Sequence, residues 1–285
     1  MITMSNDCVP VPNRLRELLL RWEAQGRQPQ GGMGWNRSAW LACLPEHQGL
    51  LEELPDRIDR NHVTERGRRA GEGHGEAVRA FVTAMVWGYG PVGYGAFRTA
   101  RVLCENVDAP RILRDVALKT RRDGGAEAFG WLKQHRLRHL GVSFATKYLY
   151  FCSGAEASPA LVLDRRVQRW LWRHADLHVS LNWNVDDYRR YLCLVTKWAG
   201  ELDLRPDEVE YLMFSDDGSQ QLAAEEGLVE SDEVAVLDAL DEAAAAFAAL
   251  PGDIDVNDLE DFGRGVRQLR RIVLARGCTR RDAPE

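Results

Sequence analysis

The sequence predicts an all-α protein. Apolar residues recur at helical spacing through most of the chain, no segment alternates apolar and polar residues as a half-buried strand would, and Asp164 and Asn184 stand where helix-capping residues belong.

In chain order, the first helical pattern covers Asn13 to Ala24. A polar break rich in Gly and Gln follows from Gln25 to Gly34, and Trp35 and Trp40 are expected to anchor a helical extension over residues 1–75 by packing. The next helix runs from Glu76 to Trp87. The stretch from Trp87 to Gly95, with Gly88, Gly90, Pro91 and Gly93 inside it, is too rich in helix breakers to be helical throughout. Helical patterns resume over Pro110 to Arg121, Gly125 to Leu137 and Val142 to Phe151, and Asp164 opens another that reaches Arg173. After Asn184, the residues Tyr188, Tyr191, Leu192, Val195, Trp198 and Ala199 form an apolar stripe at helical spacing, with Asp187 three residues past the cap. Pro206 to Phe214, Glu230 to Leu250 and Val256 to Ala275 complete the set. The organisation expected is an extension over 1–75, a core over 76–215 and an acidic, then amphipathic, helical region over 216–285.

A hydrophobic content of 45% suffices for one large core or two modest ones. No apolar run approaches the roughly 18 residues of a membrane span, and the first residues lack the basic and apolar regions of a secretory signal, so a cytoplasmic protein without membrane contact is expected. Cys8, Cys43, Cys104, Cys152, Cys193 and Cys278 show no CxxC spacing and read as reduced, mostly buried thiols. His135 and His139 are four apart, as are His174 and His178, but no carboxylate stands at HExxH spacing and the neighbours are Arg-rich. They are expected to meet phosphate or solvent, with no metal and no cofactor. Trp170 and Trp172, two apart, cannot share a helix face, so one belongs to the core.

The net charge of −6 conceals a division. From Gly200 to Phe262 there are twenty acidic residues against one basic, Arg205, a local charge of −19 that leaves +13 on the rest. Between Phe97 and Arg173, fifteen Lys and Arg face seven Asp and Glu, with Arg111, Arg114, Lys119, Arg121, Arg122, Lys133, Arg136 and Arg138 leading up to Leu140. Such a stretch can serve as a phosphate-binding surface or as ordinary solvated helix faces.

Chemistry concentrates between Leu140 and Trp172. Lys147 lies in an apolar helix beside Phe144, Tyr148, Leu149, Tyr150 and Phe151, so it either snorkels to the surface or faces a cleft. A lysine held out of water loses its preference for the ammonium form and can act as a nucleophile. Asp164 follows after a short loop. The order Leu140-Gly141-Val142, Thr146-Lys147 and Leu163-Asp164-Arg165-Arg166-Val167 resembles the helix-hairpin-helix DNA glycosylase superfamily, and most of all its 8-oxoguanine glycosylase branch, over roughly Ala80 to Trp172. In that family a Gly-Val-Gly hairpin leads to a nucleophilic lysine, and a Val-Asp-x-x-Val segment supplies an essential aspartate. Here Ser143 takes the place of the second hairpin glycine, and Phe144-Ala145 are additional residues before the lysine.

The resemblance implies a two-lobed helical fold with a cleft between the lobes, Lys147 and Asp164 as catalytic residues, and double-stranded DNA as partner. Beside it, Arg136, Arg138, His139, Gly141, Ser143, Arg165 and Arg166 are expected to contact DNA, and the stretch holding Trp87, Tyr89, Gly90 and Tyr94, which by chain order falls where the family lines its base pocket, is either that pocket or a tight turn between helices with core aromatics. The implied activity is excision of a damaged purine such as 8-oxoguanine by a monomer with an associated AP lyase step. Two alternatives stay open: excision of another modified base, for instance in phage DNA, and a non-catalytic DNA-binding protein of the same fold.

Overall fold

The computed structural model describes residues 9–91, 94–153, 160–216, 264–265 and 268–269. Two compact units are present, Met1–Asp217 and Gly218–Glu285, and every element named below belongs to the first. The expected helix over 230–250, that over 256–275 apart from four helical residues, and the acidic stretch after Asp216 lie outside the described residues.

Twelve helices are described in the first unit: α1 (Asn13–Ala24), α2 (Arg37–Cys43), α3 (Gln48–Glu53), α4 (Arg60–Arg69), α5 (His74–Tyr89), α6 (Tyr94–Cys104), α7 (Ala109–Asp123), α8 (Gly125–Gln134), α9 (Val142–Cys152), α10 (Arg165–Ala175), α11 (Val185–Leu202) and α12 (Pro206–Ser215). The all-α expectation holds. The only strands among the described residues are two-residue β1 (Met33–Gly34) and β2 (Arg57–Ile58), an antiparallel pair that joins Met33 to Ile58. Among the described residues no helix is long and apolar enough to cross a membrane.

Helix α5 forms the centre. It is buried on nearly every side from Ala77 to Trp87, the mark of a helix enclosed by others, and α4, α6, α7 and α9 pack around it. It also runs further than its glycines suggest, through Gly88 to Tyr89, and stops where Gly90 adopts φ +57°. Tyr148 of α9, fully buried, donates to the carbonyl oxygens of Ala77 (3.3 Å) and Leu113 (3.1 Å), which ties α9 to α5 and α7. Residues before α5 join the same core: Trp40 is fully buried, and Trp35 packs against it while its indole N–H donates to the Pro55 carbonyl at 2.8 Å. Trp170 is buried and Trp172 exposed, so the pair divides between core and surface. The cysteines correct the expectation of mostly buried thiols, since Cys104 and Cys193 are exposed, Cys43 is half-buried and only Cys152 is fully enclosed among the four described. Burial pushes the Cys152 thiol up to about 12.

The crossing of α4 and α9 depends on a missing side chain. A Cβ on Gly67 would overlap the Phe151 carbonyl, a backbone group that cannot move aside. Arg121 fixes the same place by donating to the carbonyls of Gly67 (2.6 Å) and Cys152 (3.1 Å). Gly67→Ala gains up to about 1 kcal/mol of helix propensity, but overpacking of this kind costs ~1–3 kcal/mol. A net loss of thermal stability is therefore expected in a calorimetric comparison with wild type; an equal or higher melting temperature would show that the crossing relaxes freely.

Candidate functional site

The site is built around Asp164, the N-cap of α10. Its Oδ1 accepts hydrogen bonds from the backbone N–H groups of Arg166 (3.1 Å) and Val167 (3.2 Å), two of the donors a helix start leaves unpaired. Its Oδ2 accepts from Lys147 Nζ at 3.2 Å. One carboxylate thus serves as both cap and ion-pair partner. The lysine does not snorkel: its side chain is 10% exposed and that of Asp164 13%, so the pair is sheltered yet reachable.

Position comes from the segment before the aspartate. Residues 160–163 are buried without belonging to a helix or strand, so their backbone polar groups need side-chain partners. Tyr188 and Tyr191 of α11 donate to the carbonyls of Leu161 and Val162, each at 2.8 Å. Thr146, fully buried and next to Lys147 on α9, accepts from the Leu163 N–H at 3.0 Å. Neither the two tyrosines nor the threonine stands out in sequence as a site residue, because each reads as a helix-core position.

The walls around the lysine are aromatic. Lys147 Nζ lies 5.3 Å from the centre of the Phe144 ring, and Phe144 stacks on Tyr89 with ring centres 3.9 Å apart. Trp87 is placed differently, in the core: it is 5% exposed, meets Phe151 edge-on at 5.0 Å and lies under the Arg60 guanidinium at 5.5 Å. A Cβ built on Gly90 would lie 3.2 Å from Met33 Cε, and Tyr94 has its ring 6.0 Å from that of Phe97. Arg60 also donates to Glu210 of α12 at 2.9 Å, a carboxylate with no exposure. Burial raises the Glu210 carboxyl above the usual range; the charges of Arg60 and Lys147 oppose the rise and that of Asp164 adds to it, so the two ion pairs share one electrostatic environment.

The turn between α8 and α9 gathers another group. Arg98, Arg136, Arg138, His139 and Gly141 line a recess of about 310 Å³ beside the start of α9, whose N-cap Gly141 supplies no side-chain hydrogen bond. His139 has φ +69°, and its carbonyl accepts from Arg98 Nε at 2.9 Å. Arg136 and Arg138 are exposed, the former 5.2 Å from the Trp183 ring. Ser143 sits half-buried in the first turn of α9; Arg165 is exposed at the start of α10, and Arg166 is half-buried 5.0 Å from Phe214. The paired histidines part company. His135 bonds to the Trp131 carbonyl and His139 to Glu105 (2.7 Å), while His174 approaches Asp216 and His178 Asp176. Hydrogen bonds from Arg101 and His139 hold the Glu105 carboxyl down at about 2.

The family model described as "Putative 8-oxoguanine DNA glycosylase OGG-like protein" covers residues 26–214, from before β1 to the last turn of α12. No curated protein and no solved structure matches the chain.

Thr146→Val keeps the shape of the side chain but strips the Leu163 N–H of its acceptor, a loss of ~1–3 kcal/mol for a buried donor. A matching fall in the urea midpoint is expected, and an unchanged midpoint would show that the contact holds nothing. The Glu105 carboxyl, depressed in the folded protein from an ordinary 4.5 to about 2, contributes stability above pH 4.5 that is lost as the pH falls through about 2. A carboxyl-carbon NMR titration of Glu105 should have its midpoint near the lower value; a midpoint near 4.5 would mean that Arg101 and His139 do not hold it.

Proposed function

The chain belongs to the 8-oxoguanine DNA glycosylase OGG-like family, and on that premise we propose that it excises a damaged purine of the 8-oxoguanine kind and then nicks the strand as an AP lyase, with Lys147 and Asp164 as its catalytic residues. The observation that carries the reading is the sheltered contact of 3.2 Å between Lys147 Nζ and Asp164 Oδ2.

DNA contact begins at the basic turn. Arg136, Arg138, His139 and the backbone N–H groups in the first turn of α9, around Gly141 and Ser143, would face a duplex phosphate, joined by Arg165 and Arg166 at the start of α10. Along α9, Lys147 is six residues past Gly141, roughly 9 Å at helical rise. The damaged nucleotide swings out of the stack toward the lysine, at a cost of a few kcal/mol that is smallest for a weakened pair. Tyr89, beside Gly90 and Tyr94, borders the space the base enters.

Lys147 gives up a proton to the Asp164 carboxylate, and its amine attacks C1′. The C1′–N bond to the base breaks with its electron pair leaving on the base, which takes up the proton. Asp164, again an anion and held by two backbone N–H groups, faces the positive charge that builds on the sugar. The sugar ring opens as the C1′–O4′ electron pair leaves on O4′, which takes a proton from the attached amine, and the nitrogen's freed pair completes a C1′=N iminium to Lys147. Loss of a proton from C2′ then expels the 3′ phosphate by β-elimination, and water releases the lysine.

Borohydride trapping on labelled duplexes carrying 8-oxoguanine, uracil, an abasic site or no lesion tests each part. The 8-oxoguanine duplex should give a covalent adduct with wild type that vanishes with Lys147→Gln and falls by at least about 100-fold with Asp164→Asn, the folded state of each variant being checked by circular dichroism. An adduct at the abasic site alone would leave the lysine chemistry and withdraw the choice of base. No adduct on any duplex, with salt-sensitive binding that survives Lys147→Gln, would identify a DNA-binding protein without catalysis.

A further inference from the structure

The glycine-rich end of α5 is larger than a turn requires, and its contacts lead to the lysine. A Cβ built on Gly88 would lie 3.0 Å from Lys147 Cδ and 3.1 Å from Phe144 Cε1, closer than side chains normally approach. One on Gly95 would overlap the ring of Tyr89. Tyr89 is therefore seated directly on the backbone of α6, and Phe144 is stacked on Tyr89 with only 17° between the ring planes.

We propose that Gly88, Tyr89 and Gly95 act together as a positioning device for Lys147: Gly88 leaves the space in which the lysine stem lies, and Tyr89, backed by Gly95, holds Phe144 beside it. The inference rests on the role assigned to Lys147 above and adds to it what sets the direction of the amine. Four aliphatic carbons separate a lysine amine from its backbone, and freedom at any of them takes the nitrogen away from its partner. Here the stem is confined by Gly88, and the amine lies near the Phe144 ring and in contact with the Asp164 carboxylate. An added methyl at Gly88 crowds both the Phe144 ring, which is stacked on Tyr89, and the lysine stem. Of the two the stem is the more flexible, and it gives way.

Gly88→Ala is a favourable test because a purely structural role predicts the opposite result. Alanine is better in a helix than glycine by up to about 1 kcal/mol, which offsets the crowding of a flexible lysine stem, so the variant should melt near the wild-type temperature. Single-turnover borohydride trapping should nonetheless slow by about tenfold or more, on the 8-oxoguanine duplex and on an abasic duplex alike, with unchanged affinity for a duplex carrying a stable abasic analogue. An abasic site presents no base, so loss on both substrates places the effect on the lysine. Loss on the 8-oxoguanine duplex alone would overturn the proposal by assigning Gly88 to base contact, and so would an unchanged trapping rate or a loss that follows DNA affinity. If wild type traps and Gly88→Ala traps equally, the positioning role falls and the glycosylase reading stands; if wild type traps nowhere, both fall.

Discussion

The divided carboxylate of Asp164 is the constraint on which the site depends. One oxygen is committed to the first turn of α10, where two backbone N–H groups and the positive end of the helix favour an anion. The other oxygen is thereby aimed without any help from Lys147. This order matters, because an ion pair whose members orient only each other collapses when a substrate separates them. Here the two backbone N–H groups hold the carboxylate independently of the amine. The cap in turn depends on residues 160–163, which lie buried without a helix or strand to pair their backbone, so Tyr188, Tyr191 and Thr146 supply the missing partners. Thr146 joins the two halves most directly, since it is the chain neighbour of the lysine and binds the chain neighbour of the aspartate.

The field around that pair is set from both ends of the first unit. Arg60 comes from α4 and Glu210 from α12, and their buried contact sits where Asp164 and Lys147 still influence it. Burying such a pair is costly unless each charge is well served, and removing one partner strands the other at a price of ~3–5 kcal/mol. Arg60 is served generously: besides Glu210 it bonds to Gln30 and lies over the rings of Trp87 and Tyr150. The family match over residues 26–214 takes in Gln30, Arg60 and Glu210 as well as the pair itself. The region that looks like an extension in sequence therefore supplies part of the site's electrostatic surroundings.

Much of this was legible beforehand where periodicity and capping agree. The helix read over Asn13 to Ala24 has those bounds in the structure, and Asn184 caps α11 by accepting from Asp186 and Asp187. Short helices were not legible. α2 and α3 have seven and six residues, too few to show a period, and α4 is dominated by Arg and other polar residues. The glycines of the Trp87–Gly95 stretch signal a break by propensity, yet Gly88 is helical and packed where an added Cβ would crowd Lys147 and Phe144 of α9. Propensity is local, whereas that contact joins residues far apart in the chain. For the same reason the sequence offered Lys147 and Asp164 as candidates, but not the buried hydroxyls that bring them together.

Whether Lys147 snorkels or faces inward turns on the surroundings of α9. Its neighbours Thr146, Tyr148 and Leu149 are fully buried, as are Ala145 a half-turn before and Phe151 one turn after. On its own face of the helix Lys147 is flanked by half-buried Ser143, Phe144 and Tyr150, so the stem lies at a sheltered edge where the ammonium needs an opposite charge. Asp164 supplies that charge at 3.2 Å, and both side chains keep a little exposure. Enclosure and partner together account for a lysine in this helix, since a leucine would fill the same space with no need of either. A sheltered charge carries a desolvation cost that a leucine would not, and the contact with Asp164 offsets it.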